Sequence, residues 1–338
     1  MSLMKYKVLV LSIALLLVST YIEVNAKNHV KIATIGAVTP TFVKDVAPQA
    51  MVDSMISFWA EEFKAVLPDN PDLIMLPEAC DRPQDLSWER RTLYFAALKN
   101  QLLDFFRSVA KENHCYIAYG SIRYVDDIIR NSCVIVGREG EIAGIYDKNF
   151  LTIGEMEHGI VASDKADLIE LDFGSVGCAI CFDLNFEELL EKYKESKPDI
   201  ILFSSNYHGG LAQSIWAYSA RAYFVGSIGI VKALSEIRNP LGEVVATTTG
   251  YYHYAVTTIN LDYRLAHLDY NWERFDALKQ KYGEKVTIYE PGEIGSVIVS
   301  SEHDEISAEE MIREFNIELL DDYFNRSRAF RKKPGNIK

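Results

Sequence analysis

Two periods of apolar and polar residues alternate along this chain, and the places where one gives way to the other divide it into elements. Residues 30–38 alternate residue by residue and predict a strand. Met51, Met55, Phe58, Trp59, Phe63 and Val66 fall at helical spacing and predict a helix over 50–66. Residues 73–77 form a short apolar run closed by Pro77, a strand that stops there. Residues 87–109 predict one long helix with Ser87 as its N-cap. Strands follow at 116–123, 133–136 and 141–146, the last two joined by a hairpin at Gly137-Arg138-Glu139-Gly140. The second half repeats this layout. It predicts strands at 168–173 and 176–180 about a turn at Gly174-Ser175, a helix at 186–196, a strand at 200–203 and a helix at 213–223. Strands at 227–233, 244–248 and 256–260 complete it. In the tail, Ser307-Ala308-Glu309-Glu310 resembles a capping box, and Met311, Phe315, Leu319 and Phe324 extend a helical stripe to about residue 328. This order implies sheet layers covered by helices. The pattern alone does not separate two stacked sheets from one doubly wound sheet.

The N-terminus stands outside this scheme. Lys5 and Lys7 precede an apolar run over 8–18, too short to span a membrane and of the length of a signal-peptide core. Val24-Asn25-Ala26 supplies small residues before a cleavage point after Ala26. The expected organisation is a signal peptide over 1–26, a main domain over 27–285 and a C-terminal extension over 286–338 whose helix serves as an oligomer arm. Export to the periplasm or the extracellular space, and a homo-oligomer, are the matching expectations. A buried first strand or an uncleaved anchor is the other reading of the N-terminus. No later segment approaches membrane-spanning length. With 338 residues, 49% of them hydrophobic, the chain can bury one large core. Its formal net charge of −13 would repel phosphate backbones and argues against a nucleic-acid partner.

Three apolar strands end in residues able to do chemistry: Glu78 after Leu76-Pro77, Lys148 after Ile145-Tyr146-Asp147, and Cys181 after Cys178-Ala179-Ile180. Strand ends are where open α/β sheets present side chains to ligands. A carboxylate, an amine and a thiol can act as base, oxyanion donor and nucleophile. Singly, each has an ordinary structural use: a turn carboxylate, a solvated lysine, a small core hydrophobe. Cys178-x-x-Cys181 invites a redox or zinc reading, but residues three apart on a strand face opposite ways. Cysteines 80, 115, 133, 178 and 181 make an odd number, so one lacks an intramolecular partner. His158 and His208 are the candidates for a Cys–His arrangement.

In chain order, Leu76-Pro77-Glu78, Tyr146-x-Lys148-x-x-Leu151 and Cys181-Phe182-Asp183-Leu184-x-Phe186-x-Glu188 resemble the carbon–nitrogen hydrolase (nitrilase) superfamily. The likeness extends to Phe203-Ser204-Ser205-Asn206-Tyr207, to Trp216 with Ala220-Arg221-Ala222, and to the segment 240–246. It implies an α/β fold of the four-layer α-β-β-α sandwich type and a thiol amidohydrolase that needs neither metal nor organic cofactor. It further implies Cys181 as nucleophile, Glu78 as general base and Lys148 as oxyanion stabiliser, with the backbone N–H of Phe182 as a second donor. A second carboxylate is implied after the lysine, and spacing favours Glu155 over Glu157. Asn206, Tyr207 and His208 are the pocket candidates. The implied substrate is a small-molecule amide, N-carbamoyl compound or nitrile that releases ammonia or an amine. An acyltransferase on the same scaffold and a non-catalytic binding protein are the alternatives. The chain departs from the family's usual pattern at Asn185, at Tyr207 and at Tyr223-Phe224, which places any familiar substrate in doubt.

Overall fold

The computed structural model describes residues 28–42 and 46–337, so the expected signal peptide over 1–26 lies outside the described residues. The first half runs β1 (His29–Ile35), α1 (Pro48–Phe63), β2 (Leu73–Met75), α2 (Trp88–Leu98), α3 (Gln101–Asn113), β3 (Tyr116–Val125), β4 (Ile128–Val136) and β5 (Ile142–Asp147). A short α4 (Ile153–Glu157) leads into β6 (Ile169–Leu171), β7 (Gly174–Ile180), α5 (Glu187–Ser196), β8 (Ile200–Ser205), α6 (Leu211–Ala220) and β9 (Tyr223–Ile228). Then follow β10 (Glu236–Arg238), β11 (Val244–Thr247), β12 (Tyr254–Asn260), β13 (Tyr263–His267) and α7 (Trp272–Tyr282). The chain finishes with β14 (Val286–Tyr289), β15 (Ser296–Ser301), α8 (Ala308–Glu314) and α9 (Leu320–Arg331).

Two six-stranded sheets result, ordered β12-β1-β2-β3-β4-β5 and β11-β10-β9-β8-β7-β6. In each, three central strands are parallel and the flanking strands antiparallel. Parallel strands are buried on both faces and therefore read as continuous apolar runs. One face of the first sheet, through Ile32, Met75, Ala118 and Ile135, joins Cys178, Ile180, Leu202 and Val225 of the second in a single core. Its other face, through Ile35, Ile74 and Ile117, packs on Met55, Trp59 and Phe63 of α1 and on Leu102 and Phe106 of α3. Leu189 and Tyr193 of α5 and Trp216 of α6 cover the second sheet. The fold is the four-layer α-β-β-α sandwich. Hydroxyls pin the sheets together: Thr34 donates to the Gly226 carbonyl at 2.7 Å, Ser227 to that of Ile35 at 2.7 Å, and Ser204 to that of Leu76 at 3.3 Å.

Several boundaries differ from the sequence reading. The expected long helix breaks at Lys99, whose φ is 46°. Tyr94, Leu98, Leu102 and Phe106 are all buried, so the four-residue rhythm runs straight across the break and conceals it. Left-handed Arg221 ends α6, and β9 begins at Tyr223, earlier than the expected strand over 227–233. β4 begins five residues ahead of the expected strand at 133, and this added part carries Asn131. The tail stripe is broken after α8, where Asn316 adopts a φ of 50°; asparagine tolerates that conformation. The boundary expected at 285/286 cuts a third sheet, ordered β13-β15-β14, which starts at Tyr263. With α7 and α8 it encloses its own core of Phe275, Leu278, Val297, Val299, Met311 and Ile317.

Candidate active site

Four loops at the strand ends meet over one cavity of about 250 Å³. Pro77 closes β2 and sets Glu78 at its end, with Ala79 in a left-handed conformation at φ 52°. Lys148 directly follows β5 and is tied to the neighbouring strand by its backbone N–H to the Asn131 carbonyl at 2.8 Å. Cys181 leaves β7 at φ 46° and opens a single 3-10 turn over Cys181–Asn185. A non-glycine residue held at positive φ stores strain of roughly 1–3 kcal/mol and persists only where its surroundings over-determine it. Asp183 supplies that constraint. Its carboxylate accepts from the Ile180 N–H at 2.9 Å, the Phe150 N–H at 2.7 Å and the Tyr146 hydroxyl at 2.8 Å. Burial pushes this carboxyl up to about 6 against those donors.

The charged groups interlock. The Lys148 ammonium, 1% exposed, lies 3.1 Å from Glu78 Oε1 and 3.0 Å from Glu155 Oε2. Asn131 Nδ2 donates to both carboxylates, at 2.9 Å to Glu78 and 2.7 Å to Glu155. Asn206, at the end of β8, donates its N–H to Glu78 Oε2 at 3.2 Å and its Nδ2 to the Glu78 carbonyl at 3.2 Å. Glu155 also completes a capping box at the start of α4, accepting from the Thr152 N–H at 2.8 Å. Glu157, two residues on, is exposed. Burial alone would push the Lys148 ammonium down, but Glu78 and Glu155 outweigh it and hold the lysine above its ordinary value. Burial likewise opposes ionisation of Glu155, but Lys148, the Thr152 N–H and Asn131 hold that carboxyl below its ordinary value. The thiol responds in the opposite sense. Burial and then Glu78 push Cys181 up to about 12, while Lys148 and the Ser205 hydroxyl pull the other way. The thiol is thus neutral at pH 7, with Glu78 bordering the same cavity.

Glu78, Lys148, Glu155, Cys181 and Asn206 therefore share one cavity. Phe182, Tyr207 and His208 do not line it. Phe182 packs edge-on to Phe186 with centroids 5.2 Å apart. The Tyr207 hydroxyl reaches Asn185 Oδ1 at 3.4 Å, and His208 sits 3.8 Å from Glu236. β8 ends at Ser205 and the chain bends at Asn206 and Tyr207, so only Asn206 of the two borders the cavity. The aromatic wall comes instead from Trp88 and Phe95 of α2 and Tyr124 of β3. The sequence reading passed over Asn131, Thr152, Ser205 and Asp183. Thr152-x-x-Glu155 carried a readable capping signal, and Asp183 stood within the cysteine motif; an asparagine inside a strand gives no local sign of its role. Cys178 is buried, and among the described residues all five cysteines are free.

A sequence model of the carbon-nitrogen hydrolase family matches residues 32–227, more than half of the chain. The chain belongs to the carbon-nitrogen hydrolase family. Among curated members, Nitrilase homolog 2 of Dictyostelium discoideum is 24% identical over 180 residues, covering 50% of this chain and 54% of that protein. The chloroplastic omega-amidase of Arabidopsis thaliana is 25% identical over 181 residues, covering 46% and 48%. The chain thus spans about half the length of the curated relatives it matches. Among solved structures, the Caenorhabditis elegans NitFhit protein superimposes with a TM-score of 0.60 at 16% identity, over 76% of this chain and 64% of that one. An amidase from Nesterenkonia sp. gives 0.57 at 14% identity, over 75% and 97%. These structural likenesses show the fold. Family membership supports an amidohydrolase, with hydrolytic cleavage of a C–N bond as its reaction class.

Proposed function

We propose that this protein hydrolyses the amide bond of a small molecule through a thioester on Cys181. The reading rests on one observation: a thiol, a carboxylate and an ammonium from three distant strand ends border the same cavity. Glu78 takes the thiol proton as sulfur attacks the carbonyl carbon. The Lys148 ammonium and the Phe182 N–H stabilise the oxyanion, each such donor contributing about 2.7–4 kcal/mol of barrier lowering. The C–N bond breaks, Glu78 returns the proton to the leaving nitrogen, and ammonia or an amine departs. A water then gives its proton to Glu78 and attacks the thioester. The acid leaves, and the thiol regains its proton. Glu155 remains ionised and holds Lys148 in place. A neutral thiol with a carboxylate at hand suits this concerted route, whereas a preformed thiolate would need no base. A mutant of the amidase from Nesterenkonia sp. AN1 undergoes Michael addition of acrylamide at its active-site cysteine, in keeping with such a nucleophile.

The test is an ammonia-release screen over amides, N-carbamoyl compounds and nitriles, with Cys181→Ala as control. Release from amides that disappears in the variant is the expected result; equal release from both proteins sinks the proposal. We further propose that residues 1–26 direct export, which predicts a secreted chain whose first residue is Lys27 by N-terminal sequencing. A secreted chain that keeps Met1 refutes cleavage.

A further inference from the structure

The loop after β2 sends a carboxylate to each of two neighbouring cavities. Glu78 borders the one that holds Cys181, and Asp81, further along the same loop, borders a second of about 560 Å³. This second cavity lies between the junction of α2 with α3 and the strands β3, β4 and β5. Leu98, Leu102, Leu103, Tyr119, Val134 and Ile145 make its walls largely apolar. Its volume falls within the ~300–1,000 Å³ of small-molecule sites. Thr92, Phe95, Ile122 and Tyr124 line both cavities, which are therefore neighbours across these side chains. Phe95 and Tyr124 meet edge-on with centroids 5.9 Å apart, and Thr92 and Tyr124 are exposed, so the partition can shift without disturbing the core.

Asp81 is 2% exposed. Its Oδ2 accepts from the Ser121 hydroxyl at 2.7 Å and from the Ile122 N–H at 3.1 Å. Its Oδ1 is buried and has no hydrogen-bond partner among the described residues. The nearby cations are engaged elsewhere. Arg82 lowers the carboxyl's proton affinity through space but donates to the Pro83 carbonyl at 3.2 Å. Arg123 is held by Asp147 at 3.1 Å, and Lys99 is exposed, where solvent and salt screen it. Burial outweighs the donors and pushes Asp81 up to about 6, which still leaves it mainly ionised at pH 7. A buried anionic oxygen without a donor is costly, and native structures retain few such groups. The chemistry at Cys181 makes no use of this one.

We propose that the second cavity receives the far end of the substrate, an apolar chain tipped by a protonated primary amine that donates to Asp81 Oδ1, while the amide end faces Cys181. This assignment rests on the amide-hydrolase reading and narrows it to ω-amino amides with an aliphatic or aromatic spacer. The apolar walls take the spacer out of water, and the vacant carboxylate oxygen takes the charged tip. An ammonium is favoured over a neutral donor because a hydrogen bond between two ionised groups is roughly twice as strong as a neutral one.

The test measures ammonia release by the full chain from ω-amino amides of graded chain length, beside ω-hydroxy, ω-methoxy and methyl-ended amides of the same lengths. At the best length the amino amide should exceed the methyl-ended one about tenfold to a hundredfold in kcat/KM, through KM, the range that charge-assisted hydrogen bonds contribute. The hydroxy amide should fall between. In Asp81→Asn one amide oxygen still accepts from Ser121 and Ile122, and the amide N–H takes the place of the vacant oxygen. The amino amide should then lose its advantage and the methoxy amide gain. Equal use of amino and methyl-ended amides at every length, a hydroxy amide as good as the amino amide, or a preference that survives in folded Asp81→Asn overturns the assignment. If Asp81→Asn does not fold, Leu103→Trp serves instead. It fills part of the second cavity and should impair long amino amides more than short ones; equal impairment overturns the assignment. Calorimetric titration of hexylamine and of hexanol into Cys181→Ala protein needs no turnover. Hexylamine binding about tenfold tighter than hexanol, and lost on adding Asp81→Asn, supports the site even if no amide is hydrolysed, in which case the amidase reading alone has failed. Equal binding of the two refutes the amine.

Discussion

Replacing Glu78 by glutamine should drive two reactions of the same thiol in opposite directions. In the native site, burial and the Glu78 carboxylate raise Cys181 to about 12 from 9.0. That displacement corresponds to roughly 4 kcal/mol against a free thiolate, and leaves only about one thiol in 10⁴–10⁵ ionised near neutral pH. Hydrolysis therefore depends on proton transfer to Glu78 during attack. Glutamine keeps the shape and can still accept from Asn131, but takes no proton, so kcat should fall by about 10²–10⁴. Alkylation by iodoacetamide needs only the thiolate. The variant removes the anion that opposes the thiolate and leaves Lys148, which favours it, so the pH midpoint for alkylation of Cys181 should fall below about 12. The assay is ammonia release at neutral pH beside alkylation rates followed by mass spectrometry from neutral to strongly alkaline pH. Hydrolysis within tenfold of wild type, or an alkylation midpoint that stays put or rises, would refute the reasoning.

Lys148→Met leaves Glu78 and Glu155 facing each other without a cation, in a position where the lysine is 1% exposed. Removing one partner of such a buried network costs roughly 3–5 kcal/mol; the urea midpoint should drop accordingly with hydrolysis abolished, and an unshifted midpoint would count against the network. Glu155 is held below its ordinary value, so its contribution to stability is present above the unfolded carboxyl's value of about 4.3 and is lost as pH falls through the folded one. Urea midpoints from pH 6 down to pH 3 should therefore fall less steeply in Glu155→Gln than in the wild type; parallel curves would contradict this. A Cβ at Gly120 would stand 2.5 Å from Glu78 Cα, 2.7 Å from Ser204 Oγ and 2.8 Å from the Pro77 carbonyl, the first and last of them main-chain atoms with little room to yield. Gly120→Ala should cost about 1–3 kcal/mol and lower kcat by shifting Glu78; native stability and turnover together would disprove the close approach.

The order of strands and helices, the covering of sheets by helices and the three reactive strand ends were legible in the residues alone. They depend on short-range matters: apolar periodicity, Pro77 stopping β2, and a thiol, an amine and a carboxylate each following an apolar run. The resemblance carried by those motifs also gave the four-layer architecture and the choice of Glu155 over Glu157. Other features had no local sign. The stripe from Tyr94 to Phe106 keeps its rhythm across the break at Lys99, and the third sheet joins β13 to strands more than 20 residues further on. Asn131 became the bridge between two carboxylates only because β4 lies antiparallel beside β5, with Ser132 opposite Asp147, which sets Asn131 next to Lys148. Trp88, Arg91 and Phe95 entered the cavity wall because α2 packs over it, while Tyr207 does not line it. Sequence sets which face of each element is apolar and which backbone angles are easy. The choice of which ends meet, and how far burial and neighbouring charge move Cys181, Lys148 and Glu155 from their ordinary proton affinities, belongs to groups far apart in the chain and exists only once the two sheets have closed on one another.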